Sequence, residues 1–585
     1  MKTKNSVIFL PIKIMFKADS VKLIWLLLIA ITSGYLNYLV LKSLDLILNS
    51  NISKLFTPEM ISLTILPALL YFSISILNFV SSNIIEKLEY KTGLYINNLI
   101  IKRSFGFKGI GIFEHPDYID MSYTLANAKS VMASSVRELF TFLCLVLNLI
   151  FYVFFFAKIE LIFLLILIPA LLPIYFTEKA KAKIFMQKQL AMQQLRIRGY
   201  QYKFMALSAQ HAQDNRIFSF IPLLKKKLEK LNEQIDSTWK TFNSKKLIVD
   251  FIAFSTNILV TALVIAVSFF RFSNNQISFA TSVILIFAVY RIFKMASSIS
   301  VQIGVNKQTF LFYEELQNYL QLSDNIDLSK NGKILNGPIS SIEFQDVSFA
   351  YSENNYVLKN LSFKINAGES VALVGQNGAG KTTLIKLLLR FYDPSSGTIL
   401  INGIDIKELD IDSYRNAISG VFQDFSKFAL TFGENIFGSG FGQDKTVFSK
   451  KSKMLLSKIL ETMDDKCDTN IGQDLGGREL SGGEWQKIAI ARGLEKENTS
   501  LFLADEPVSA IDPIEEANIY KYILPENPSQ AITIITTHRL ACTKDVTKVL
   551  LLENGTLQEF DSHENLLKTS ERYKAIYRTQ ADAYI

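Results

Sequence analysis

Eight consecutive residues, Gly375, Gln376, Asn377, Gly378, Ala379, Gly380, Lys381 and Thr382, carry the densest chemistry in the sequence. Glycines let a backbone fold closely around phosphates, successive N–H groups supply donors to the anion, and a helix N-terminus adds a favourable dipole. The spacing is that of a complete P-loop, in which Lys381 reaches the β- and γ-phosphates and the Thr382 hydroxyl binds Mg2+, with Thr383 beside it. The bland alternative is a glycine-rich turn with no ligand. Context argues against it, because a buried-strand pattern over residues 370–374 runs into the loop and an apolar helix follows from Leu384.

Other groups downstream suit the same chemistry. Residues 501–506 read as an apolar strand ending in two carboxylates, Asp505 and Glu506. Strand neighbours alternate faces, so Asp505 is expected to hold a metal while Glu506 points elsewhere. The string Leu480-Ser481-Gly482-Gly483-Glu484-Trp485-Gln486 precedes a helix at 488–494, Asp512 follows Ser509, and His538 closes a second apolar strand at 531–536. Phosphoryl transfer needs positioning, a metal and charge stabilisation more than covalent chemistry. Three dispersed cysteines, Cys144, Cys467 and Cys542, match no metal spacing and exclude a disulfide framework.

The elements that must carry these groups fall into two kinds. Six apolar stretches, residues 23–41, 61–80, 140–157, 161–176, 252–270 and 279–293, come within reach of the roughly 17–25 residues that a membrane span requires. The connections at 81–139 and 177–251 are long and rich in Lys and Arg, whereas the other side shows only Lys42, Lys54, Lys158 and Arg271. By the positive-inside rule both long loops and both termini face the cytoplasm. Asn37, Asn78, Asn148 and Asn257 are expected to face the interior of the bundle, where polar groups avoid lipid. Each long loop also holds a polar–apolar knot, residues 113–118 and 213–218, and Pro116 should turn the chain.

Charge divides with hydropathy. The 585-residue chain has a net charge of +8 and is 49% hydrophobic. Residues 1–330 hold 35 basic against 20 acidic side chains, and residues 331–585 hold 27 against 34, so the halves are +15 and −7. That pattern excludes disorder and fibrous repeats, and it reads as membrane topology, not as a nucleic-acid footprint. No cleavable signal peptide is evident. A polar stretch at 324–333 marks a boundary, giving a membrane domain at 1–323, a linker at 324–340 and a nucleotide-binding cassette at 341–585.

These residues resemble the ATP-binding cassette (ABC) transporters, of the exporter type that joins both domains in one chain. The resemblance implies an α-helical polytopic membrane domain, six spans with long cytoplasmic helical extensions, fused to an α/β P-loop NTPase cassette with a helical subdomain. It implies ATP and Mg2+ as ligands, with Tyr351 stacking on adenine and Gln423 near the metal and the attacking water. It makes Asp505 a metal ligand, Glu506 the general base and His538 the contact to the γ-phosphate. Ser481, Gly482 and Gly483 cap ATP bound to the opposite subunit, with Asp512 between the two sites. The chain is then half a transporter that works with a second copy of itself, and the two knots fall where coupling helices sit. Glu484 departs from the family's usual Gln.

The strings 421–425, 480–486 and 506–513 resemble the bacterial exporters of lantibiotics and similar modified peptides. The implied function is ATP-driven export of a peptide across the bacterial cytoplasmic membrane by alternating access. A lipid or multidrug exporter or flippase of the same architecture is the alternative. About 20 residues precede the first span with no Cys among them, so the N-terminal cysteine protease of some peptide exporters is expected to be absent. A soluble cassette ATPase is disfavoured by the spans, and a channel or receptor that only senses ATP has no need of Glu506.

Overall fold

The computed structural model describes residues 9–48, 58–159, 161–274, 276–328, 332–352, 355–438, 448–463, 466–472, 476–508, 513–524, 531–537 and 540–582. The chain divides into two compact units, Met1–Phe105 with Pro116–Leu322, and Gly106–His115 with Ser323–Ile585. The first half contains helices α1 (Leu10–Leu48), α2 (Pro58–Gly106), α3 (Gly111–Glu114), α4 (Pro116–Ile159), α5 (Leu161–Leu207), α6 (Ala212–Ile217), α7 (Phe220–Ser273) and α8 (Phe279–Gln321). Of these, α3 belongs to the second unit.

Long apolar runs make the first unit helical, and α2 continues through Pro67. The 54 residues of α7 extend about 80 Å, against a hydrocarbon core about 30 Å thick, so the helices continue well past their apolar stretches. Among the described residues, Leu10–Ile47, Thr64–Gly106, Ala128–Phe155 and Phe220–Ser273 are long and apolar enough to cross a membrane. The other two expected stretches lie in α5 and α8; most side chains of residues 161–176 are outside the described set. Helix α1 breaks at Asp19, whose carboxylate accepts from the Lys22 N–H at 3.1 Å and starts a new helical segment as an N-cap does. Lys22 and Lys91 neutralise it at 2.6 and 2.8 Å.

Inside this unit α4 packs along α8 and α1, and α5 along α7 and α8. Some polar groups in the seams are satisfied locally: the buried Tyr313 hydroxyl donates to the Met132 carbonyl at 2.9 Å and meets Ser135 Oγ at 3.0 Å. Asn37 and Asn148 are partly buried and donate to the carbonyls one turn back, Ser33 and Cys144. Asn257 also turns inward, with a buried Oδ1. Asn78 departs from expectation: it is exposed on the single chain, on a side of α2 where Tyr71 and Ser75 are exposed too. Pro116 is the first residue of α4, where its missing N–H costs nothing.

In the second unit the strands are β1 (Ser341–Ala350), β2 (Tyr356–Asn366), β3 (Ser370–Val374), β4 (Ser396–Ile401), β5 (Ile404–Asp405), β6 (Ile418–Val421), β7 (Leu501–Asp505), β8 (Ile532–Thr536), β9 (Lys548–Glu553) and β10 (Thr556–Asp561). The helices are α9 (Lys381–Leu388), α10 (Ile411–Asn416), α11 (Phe432–Phe437), α12 (Lys450–Leu460), α13 (Gly482–Leu494), α14 (Pro513–Ile523), α15 (His563–Thr569) and α16 (Glu571–Asp582). Six strands form a sheet in the order β10-β9-β3-β8-β7-β6, parallel except for β10. Every residue of β3, β7 and β8 is buried, the signature of parallel strands covered on both faces. An antiparallel sheet, β2-β1-β4-β5, packs beside it through a core that includes Phe344, Leu358, Leu384, Ile399 and Leu501. A second core around Trp485, Phe432 and Ile488 joins α11, α12 and α13 into a helical subdomain. The carboxyl ends of β3, β7 and β8 open on one edge, where ligands of such sheets bind.

Two segments outside the strands are drawn onto this unit. Arg390 is fully buried and donates to the carbonyls of Asp327, Lys407 and Leu409 at 2.6, 3.1 and 3.1 Å, pinning part of the 324–340 stretch. The Lys108 and Gly109 N–H groups donate to Asp324 at 2.5 and 3.0 Å, and Lys108 Nζ pairs with Asp412 at 2.6 Å.

Candidate functional site

The loop after β3 is shaped by where its glycines lie. A Cβ on Gly375 would stand 2.2 Å from the Leu552 carbonyl oxygen of β9, so only glycine fits. Gly380, at φ +104°, is the N-cap of α9, and a Cβ there would meet Leu358 of β2 at 2.5 Å. Between them Gln376, Asn377 and Gly378 are exposed, leaving their backbone open to a ligand. Lys381 is buried and donates to the Gly375 and Gln376 carbonyls at 2.7 and 3.1 Å, so the loop curls around its ammonium. Burial pushes the Lys381 pKa down against the pull of Glu506 and Asp505, the two carboxylates within electrostatic reach. Thr382 is exposed in the first turn of α9, and Thr383 is buried.

Asp505 ends β7 with its Oδ1 accepting from Thr536 Oγ1 at 2.5 Å. Glu506 lies beyond the strand at φ 48°, and its N–H donates to Thr536 Oγ1 at 3.0 Å. Glu506 thus stands past the end of the strand in a left-handed conformation, and its carboxylate, like that of Asp505, is within electrostatic reach of Lys381. One threonine at the end of β8 thus orders both acidic residues. Gln486 Nε2 donates to the Pro507 carbonyl at 2.8 Å, tying α13 to the same turn.

Ser481 is the N-cap of α13 and Glu484 its N3 residue, forming a capping box: Ser481 Oγ accepts from the Glu484 N–H at 3.3 Å, and Glu484 Oε2 accepts from the Ser481 N–H at 2.8 Å. Glu484 thus has a local role that Gln at this position can also fill, and Ser-x-x-Glu is readable in sequence. Ser481 and Gly482 are exposed, and among the described residues no hydrogen bond joins residues 481–483 to the loop at 375–383. Gln423 is exposed in the turn after β6. Asp512 and His538 lie outside the described residues.

Tyr351, half exposed, packs edge-on against Phe349 and Tyr392, with centroids 4.9 and 5.3 Å away, and its hydroxyl meets Thr383 Oγ1 at 3.2 Å. Lys386 of α9 lies over both tyrosine rings, 5.6 and 5.8 Å from their centroids. Glu114 of α3 accepts from the Tyr392 hydroxyl and pairs with Lys386 at 3.1 Å. Burial raises the Glu114 pKa, but Tyr392 and Lys386 outweigh it and hold the carboxyl below its ordinary value. Burial, with Glu114 adding to it, pushes the Tyr392 phenol well up. Glu114 belongs to the knot at 113–118 marked by sequence, but its partners Tyr392 and Lys386 were not singled out, since 278 residues separate Glu114 from Tyr392.

The donor set suits a polyphosphate with a divalent cation: a cradle that admits no Cβ, a buried lysine inside it, an exposed threonine hydroxyl, and a strand-end aspartate in electrostatic reach of that lysine. Comparison with known proteins agrees. The family described as ABC transporter matches residues 358–509. The subtilin transport ATP-binding protein SpaT of Bacillus subtilis is 30% identical over 537 residues, covering 88% of this chain and 85% of that protein. The nisin transport ATP-binding protein NisT of Lactococcus lactis subsp. lactis is 29% identical over 341 residues, 57% of this chain and 56% of that protein. Among solved structures, a bacterial Atm1-family ABC exporter with ATP bound is similar with a TM-score of 0.84, covering 96% of this chain and 99% of that one at 21% identity. This last likeness is one of fold.

Proposed function

The chain belongs to the ABC transporter family, and from that membership we propose that it exports a modified peptide of the lantibiotic kind as one half of a homodimer in the bacterial cytoplasmic membrane. It is a multi-pass membrane exporter whose ATPase is coupled to transport, and it uses ATP with Mg2+. The observation that carries the peptide reading is the match along 88% of the chain to a protein named for subtilin transport.

The residue roles are part of the proposal. Gly375, Gln376, Asn377, Gly378, Ala379 and Gly380 wrap the phosphates, Lys381 neutralises them, and Thr383 and Tyr351 flank the nucleotide. Thr382, Gln423 and Asp505 hold Mg2+, which when bound offsets phosphate charge. Glu506 takes a proton from the attacking water, and His538 contacts the γ-phosphate. Ser481, Gly482 and Gly483, with Asp512, complete the site of the partner copy.

The same reading divides the chain at 1–323, 324–340 and 341–585, with six spans and with both termini and the cassette in the cytoplasm. The knots at 113–118 and 213–218 act as coupling segments. Around α6, Leu207, Ile217 and Phe218 are exposed at 84, 73 and 66%, an apolar tip suited to a partner surface. ATP binding closes two cassettes, the bundle opens outward, and hydrolysis with phosphate release resets it. Proteoliposomes challenged with modified peptides, lipids and dyes test the reading. Peptides should stimulate ATP hydrolysis and accumulate in the lumen, and stimulation by lipids alone would overturn peptide export in favour of a flippase.

A further inference from the structure

A cavity of about 530 Å³ opens between α1, α2, α4 and α8. Its wall is mostly apolar, with Val40, Ile284 and Phe287 among the contributors, and its polar lining consists of Asn37, Tyr71, Tyr152 and Arg291. The Arg291 guanidinium donates to the Tyr152 hydroxyl at 3.3 Å, and Tyr71 lines the same cavity within electrostatic reach of its charge. Among the described residues no carboxylate lines this cavity, and Arg291 forms no ion pair. Arg291 lies inside the apolar stretch 279–293. A cation at such a depth is costly and is retained where it faces an aqueous or ligand-filled space.

Both tyrosines present hydroxyls that can donate to an oxyanion as well as accept from the guanidinium. One positive charge flanked by two phenols matches one negative charge, and an arginine fork matches the two oxygens of a carboxylate. The apolar remainder of the wall suits the hydrocarbon and aromatic side chains next to that group.

We propose that this cavity is a cargo subsite in which Arg291, steadied by Tyr152 and with Tyr71 in the same lining, pairs with a carboxylate of the exported peptide while the adjoining apolar side chains fill the wall. The assignment rests on the peptide reading above. Binding is non-covalent, and charge complementarity selects peptides that carry a free carboxylate beside apolar residues.

The test uses the full chain in lipid nanodiscs and three dansyl-labelled probes read by fluorescence anisotropy. These are a hexapeptide of Leu, Val and Phe with a free C-terminal carboxylate, the same peptide ending in a carboxamide, and dodecanoic acid. The wild type should bind the free acid about 10-fold or more tightly than the amide, the scale of a charge-assisted hydrogen bond. Arg291→Gln should bind both peptides as the wild type binds the amide, and Arg291→Lys should keep part of the preference. If the wild type binds acid and amide equally while still exporting peptide, the subsite is wrong and the peptide reading stands. Arg291-dependent binding of dodecanoate, with neither peptide bound, overturns both. Lack of Arg291-dependent binding for all three probes overturns the subsite.

Discussion

Glu114 offers the sharpest perturbation, because it links α3 to the residues around the nucleotide loop. Its carboxylate accepts from the Tyr392 hydroxyl and pairs with Lys386 at 3.1 Å. Its side chain is 51% exposed, so the ion pair is worth no more than about 0.2–1 kcal/mol. A hydrogen bond to a charged acceptor is worth about 1.5–3 kcal/mol, and half-exposure selects the lower end. Glu114→Ala should therefore weaken the docking of residues 106–115 by about 2 kcal/mol, roughly 30-fold in that equilibrium. Glu114→Gln keeps an acceptor for Tyr392 and should lose about half of that.

The effect should reach ATP, since Tyr392 packs edge-on against Tyr351 and Lys386 lies over both rings. If about 1 kcal/mol of the loss is felt by Tyr351, the KM for ATP rises about fivefold. Hydrolysis would be followed against ATP concentration in proteoliposomes for Glu114→Ala, Tyr392→Phe and the double variant. A coupling energy near 1 kcal/mol is expected from the cycle. The sign with pH follows from a depressed carboxyl: the contact contributes fully above the ordinary value of 4.5 and is lost as pH falls through the lowered value. The wild type should therefore approach the behaviour of Glu114→Ala only in acid. Strictly additive losses, or an unchanged KM in Glu114→Ala, would refute the link.

Two further outcomes follow from local geometry. Gly380→Ala forces a left-handed residue with a Cβ 2.5 Å from Leu358, a strain of about 1–3 kcal/mol before the clash; binding of a fluorescent ATP analogue should fall at least about 10-fold, and unchanged binding would contradict the cradle. Glu484→Ala should cost about 1 kcal/mol by breaking the capping box of α13, whereas Glu484→Gln should be nearly neutral. Equal losses of thermal stability in the two would show that charge, not the cap, is what matters there.

What was legible in sequence was what is local in sequence. The loop at 375–382 announces itself because one strand, one turn and one helix build it. The same locality made the Ser481–Glu484 capping box readable, yet Glu484 stood out only as a departure from a pattern. The left-handed turn at Glu506 was not legible, because nothing in Asp-Glu-Pro signals that Glu506 takes φ 48°. The junction of Glu114 with Tyr392 and Lys386 depends on residues more than 270 positions apart, and only tertiary packing brings them together. Arg291 was visible as a charge in an apolar stretch, but a scan for apolar length passes over it. Asn78 was expected inside because lipid disfavours an amide, and yet the single chain leaves it exposed, since periodicity does not say which helix faces await a partner.

ATP-driven transport in proteoliposomes, wild type against Glu506→Gln, tests the central claim most directly. General acid–base catalysis contributes about 10²–10⁴-fold. Glu506→Gln should still bind ATP, while hydrolysis falls by at least about 100-fold and luminal accumulation of peptide stops with it. Undiminished hydrolysis, or peptide accumulation that continues without it, would contradict an exporter powered by Glu506-dependent cleavage of ATP.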